Sequence, residues 1–142
     1  MIKTSNIYRF NGKDPFTNYK LEKNGLLIGF YPRNSLINQL SSKDNGVRIY
    51  KDHLVIEDNV KTIGRSVFRN NKDYKFIVIG KNVETIEDYA FYNTKSEEFI
   101  IPASVKHIRK NSFSKDAFLI VKKGSYGERY ARRNKLMFNY YK

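Results

Sequence analysis

Three segments of the chain repeat one another at intervals of 23 and 22 residues: LVIEDNVKTIGRSVF (54–68), IVIGKNVETIEDYAF (77–91) and FIIPASVKHIRKNSF (99–113). A unit this short cannot bury its own apolar face, so repetition at this period confines the chain to stacked units that share one continuous core. Four apolar columns hold throughout: Ile56, Ile79 and Ile101; Val60, Val83 and Val105; Ile63, Ile86 and Ile108; Phe68, Phe91 and Phe113. Val67, Ala90 and Ser112 form a fifth column of modest side chains, and FLIV (118–121) supplies the strand of a further unit.

Each unit starts with a short β-branched or aromatic strand. A tight turn follows (EDN, GKN, PAS), then a V-x-x-I segment, then a turn whose Phe points back into the core. Strands this short gain stability only by pairing with their copies in neighbouring coils. The spacing therefore predicts parallel strands near 54–56, 77–79, 99–101 and 118–121 in one sheet. The fold class expected is an α/β-type repeat solenoid: short parallel strands stacked in a leucine-rich-repeat-like right-handed coil, with an N-terminal β-hairpin and a C-terminal capping helix.

The pattern I-x-I-P-x-x-V-x-x-I-x-x-x-A-F resembles the BspA-type leucine-rich repeat, and FIIPASVKHIRKNSF and IVIGKNVETIEDYAF carry it best. Glu57 and Gly80 depart from the proline found at Pro102, and Val67 and Ser112 depart from the alanine found at Ala90. The resemblance implies a non-catalytic solenoid used for protein binding, and it brings no catalytic residue with it.

The flanks complete one domain. Residues 1–53 read as an N-terminal cap, with a hairpin over 19–31 and a turn-rich surface excursion over 32–52. Residues 54–121 are the repeats, and 122–142 a C-terminal helical cap. Asn24-Gly25 marks the hairpin turn, because both central positions of a type I′ turn need positive φ. Ile7 to Phe10 reads as an edge strand. Ser125 with Glu128 three positions later forms a capping box at the start of a helix, and Asn134 marks its stop. The end of a solenoid otherwise leaves strand edges and core open to water, so a cap is expected there.

The chain has no cysteine, which excludes a disulfide framework and a thiolate metal site. No apolar run reaches the length of a membrane span. Histidine occurs only at His53 and His107, without the H-E-x-x-H spacing of a zinc site or an acidic calcium loop, so no metal and no cofactor is expected. Ser112-Phe113-Ser114-Lys115 matches S-x-x-K by letters, but Phe113 makes it a repeat turn. Glu84, Glu87 and Asp88 lie between basic residues column by column, as in Lys61, Glu84, Lys106 and in Arg65, Asp88, Lys110. They read as a register-fixing ladder, and no catalytic residue is expected.

The net charge of +13 is concentrated: residues 105–142 carry 11 basic and 2 acidic groups, a net +9. A protein partner is the first expectation. The alternative is a basic nucleic-acid- or ribonucleoprotein-binding protein, such as a small inhibitor encoded by a mobile element, acting through the C-terminal third. Candidate partner-binding residues are Arg69, Tyr89, Tyr92, Arg109 and Lys110 on the repeats, since Tyr and Arg are enriched at interface hot spots. Arg129, Arg132 and Arg133 join them on the terminal helix. The protein is expected in the cytoplasm if Met1 is the native start, and outside the cell or at its surface if the chain is an excised fragment.

Overall fold

The computed structural model describes residues 14–31 and 45–141. The edge strand expected at 7–10, and 32–44 of the expected excursion, lie outside the described residues. The chain begins with a hairpin of β1 (Asn18–Leu21) and β2 (Leu26–Phe30). β3 (Val47–Ile49) and β4 (His53–Ile56) follow. Two-residue strands then alternate with longer ones: β5 (Thr62–Ile63), β6 (Phe76–Val78), β7 (Thr85–Ile86), β8 (Glu98–Ile100), β9 (His107–Ile108) and β10 (Phe118–Val121). Helix α1 (Tyr126–Arg133) and strand β11 (Met137–Tyr140) close the fold.

β4, β6, β8 and β10 pair in parallel, one per coil, as the repeat spacing predicts. Two strands extend this sheet beyond the sequence-based expectation. β3 joins β4 antiparallel, so part of the expected surface excursion is strand, and β11 joins β10 in parallel. The V-x-x-I segments form a second parallel sheet through β5, β7 and β9, and the hairpin continues it where β2 pairs with β5. The hairpin turn also differs from a two-residue type I′ turn. Gly25 alone takes positive φ (+81°), and Asn24 Oδ1 accepts a hydrogen bond from the Leu26 N–H at 3.3 Å.

The core lies between the two sheets and the Phe-bearing turns. Leu54, Ile77, Phe99 and Leu119 are wholly buried on the inner side of the long strands, beside the Ile56, Ile79 and Ile101 column. Burying one such side chain is worth roughly 1.5–3 kcal/mol, so each coil contributes mainly through its columns. Phe68, Phe91 and Phe113 stack with ring centroids 5.3 and 5.2 Å apart. Tyr19 of the hairpin extends the column at 5.0 Å from Phe68, and Tyr130 of α1 closes it at 6.2 Å from Phe113. One aromatic stack thus runs from the N-terminal hairpin to the C-terminal helix.

The turns that carry these rings need left-handed backbone at two recurring positions, one occupied by Ser66, Tyr89 and Asn111 (φ 60°, 61° and 58°) and one by Asn70 and Asn93 (φ 64° and 54°). Asn and Gly take this conformation at low cost, whereas a bulky ring at Tyr89 stores strain. Ser112 fills its column by a polar route. Its buried hydroxyl faces the carbonyls of Arg109 and Glu87 at 2.7 and 2.8 Å, so a hydroxyl is satisfied where Ala90 has only a methyl.

Candidate functional site

Along a strand, successive side chains face opposite sides. In β4, β6, β8 and β10 the inward residues are buried and those between them are half-buried on the outer face. The register aligns the outward residues in two rows. Val55, Val78, Ile100 and Ile120 form one. The other runs from His53 through Phe76, Glu98 and Phe118 to Met137 of β11. Met137 is 67% exposed at the C-terminal edge. At the opposite edge the Tyr50 ring stacks on His53 at 4.5 Å, and Arg48 Nε binds Glu57 Oε1 at 2.9 Å. Among the described residues the outer side of the sheet is therefore an apolar strip, with the first row ending in Arg48 of β3 and Asn139 of β11, and with one carboxylate, Glu98, in the middle of the second.

The repeat columns alone did not single out this strip. The signal was in the strands themselves: LVI, IVI, FII and FLIV are apolar at every position. A sheet with one face in water alternates apolar and polar residues, whereas unbroken apolar strands belong to sheets covered on both faces. Here the inner face is the core and the outer face is the apolar strip.

Of the residues picked out on sequence grounds, Arg69, Tyr89 and Tyr92 come together. The Arg69 guanidinium lies 4.4 Å from the Tyr89 ring centroid and 5.3 Å from that of Tyr92. The two tyrosines meet edge to face at 5.3 Å, and Asn111 Nδ2 donates to the Tyr89 hydroxyl at 3.2 Å. This cluster occupies the Phe-bearing turns, away from the apolar strip. Arg109 is exposed and pairs with Glu87 at 3.9 Å, and Lys110 is exposed beside it. The cross-coil ion pairs that form include Asp58–Lys81 and Glu87–Arg109, in place of the expected ladder through Glu84 and Asp88.

On α1, Arg129 and Arg132 are engaged within the cap. Arg129 Nη1 donates to the Gly124 carbonyl at 3.1 Å, and Arg132 Nε binds Glu128 Oε2 at 2.9 Å. The Arg132 guanidinium also lies 4.9 Å from the Phe138 ring. Arg133 is exposed. Glu128 takes hydrogen bonds from the Gly124 N–H (2.8 Å), the Tyr140 hydroxyl (2.9 Å) and Arg132, and together these hold its pKa down to about 2. Burial pushes the Tyr130 hydroxyl up to about 12 and that of Tyr19 higher still. These shifts belong to capping residues, not to a cleft.

Among the described residues no group of His, Cys, Asp and Glu is placed to hold a metal ion. Nor is any helix among them long and apolar enough to cross a membrane. The family model of the BspA type leucine-rich repeat region (6 copies) matches residues 50–121. No curated protein matches the chain.

Proposed function

Because the chain belongs to the BspA-type leucine-rich repeat family, we propose that it is a non-catalytic module that binds a protein partner through the outer face of its six-stranded sheet. The observation that carries the reading is the aligned row Val55, Val78, Ile100 and Ile120, half-buried on the outer face of the sheet among the described residues. That row is apolar between Arg48 of β3 and Asn139 of β11, the apolar centre and polar rim of an interface. Catalysis has no comparable support, since the shifted groups named above serve the caps.

The test is selection of a displayed random peptide library against the folded chain. The enriched peptides are then measured on a Val78→Lys, Ile100→Lys variant whose thermal melt shows that it folds. Loss of binding supports the reading. Equal binding to both forms, or no enrichment at all, overturns it.

A second reading, association with a nucleic acid, is favoured by the exposed Lys122, Lys123, Arg133 and Lys135 around α1. Binding of that kind weakens steeply with salt, because neutralised phosphates release counterions.

A further inference from the structure

We propose that the sheet face docks an extended protein segment by seating one Lys or Arg side chain on Glu98, between the rings of Phe76 and Phe118. This deepens the protein-binding reading above and rests on it. The register sets Phe76 directly beside Glu98, and the pairing of β8 with β10 sets Phe118 on its other side. With strands ~4.8 Å apart, both rings lie within reach of a cation bound at the carboxylate.

Glu98 is half-buried, and among the described residues its carboxylate takes no hydrogen bond and joins no ion pair. Lys75 stands 5.7 Å from the Phe76 ring, yet it pairs with Glu97 at 4.0 Å. Glu98 is thus a carboxylate still open to solvent and not engaged by a cation of the described chain, so an incoming Lys or Arg can pair with it. An aromatic ring on each side adds attraction through its face.

The neighbouring row defines the rest of the guest. Ile100 lies two residues along the strand from Glu98, on the same face. Side chains two apart on an extended segment also share a face, so a basic residue at one position and an apolar one two residues on would meet Glu98 and Ile100 together. The overall charge of +13 opposes a polybasic partner, since like charges repel within the screening length. The fitting motif is therefore one Lys or Arg in an otherwise apolar or acidic stretch.

The experiment uses the peptides enriched from the displayed random library on the folded chain, with Glu98→Gln beside Val78→Lys, Ile100→Lys. Glu98→Gln keeps size and shape, and its thermal melt verifies the fold. The expected result is enrichment of a single basic residue two positions from an apolar one. Affinity should fall about tenfold or more on Glu98→Gln, the loss expected when a charge-assisted contact is neutralised. Two results overturn the cation site and leave the docking face standing: peptides without a basic residue, or peptides indifferent to Glu98→Gln, while both still need Val78 and Ile100. Peptides indifferent to Val78→Lys, Ile100→Lys, or a library that yields none, overturn the docking face and this inference together.

Discussion

Phe91 sits at the centre of the aromatic column, stacked on Phe68 and Phe113 and edge-on to Phe99 at 5.4 Å. Truncating it removes a wholly buried ring and leaves a void bounded by three other rings. Phe91→Ala is expected to cost about 3–5 kcal/mol in urea denaturation, and a loss below about 1 kcal/mol would contradict its place in the core. This residue was legible in the sequence because its column recurs in all three repeats. The Arg69, Tyr89 and Tyr92 cluster was legible as a composition but not as a geometry. Nothing in the order of residues says that Tyr89 takes left-handed backbone, which follows from the turn shared with Ser66 and Asn111. Glu98 was hidden for another reason. Its strand position is occupied by His53, Phe76 and Phe118 in the other coils, so no column marked it.

At the level of elements, the long strands were readable and the short ones were not. Two-residue strands such as Thr62–Ile63 are too brief to show any period, and they exist because the neighbouring coil offers a ladder. β3 lay behind the turn signals of Asp44, Asn45 and Gly46, and β11 depends on the free edge of β10, which nothing in the local pattern of residues 137–140 announces. Helix α1 was readable through its cap, since Ser125 Oγ accepts from the Glu128 N–H at 3.3 Å. That cap carries a pH dependence. The Glu128 carboxyl titrates near 4.5 when free of its partners and near 2 in the fold. A depressed folded pKa means that the carboxylate stabilises the fold fully above the free value, and that this contribution drains away as pH falls from about 4.5 toward about 2. The difference in melting temperature between the native chain and Glu128→Gln should therefore shrink across that window. A constant difference there would show that the cap does not depend on the charge.

Over the whole molecule, the +9 of residues 105–142 gathers near the end capped by α1. Arg129 and Arg132 are poor probes of that charge, because reversing them would also break the cap contacts to Gly124 and Glu128. Lys122 and Arg133 are exposed and stand outside those bonds. Lys122→Glu with Arg133→Glu should elute earlier from heparin, with a shallower dependence on salt, while stability falls by about 1 kcal/mol at most, the cost of an acidic group in the last turn of α1. Unchanged retention would leave the basic third as solvated surface and remove the support for nucleic-acid association. The aromatic column bears on a different property of the molecule. Tyr19 and Tyr130 terminate it, and everything between them is one ring per coil. Copying a single coil in the gene would lengthen the stack by one ring and widen the outer strip by ~4.8 Å, with neither terminal tyrosine required to change. The reach of the strip is thus a countable quantity, adjustable in whole rungs by duplication or deletion of about 22 codons.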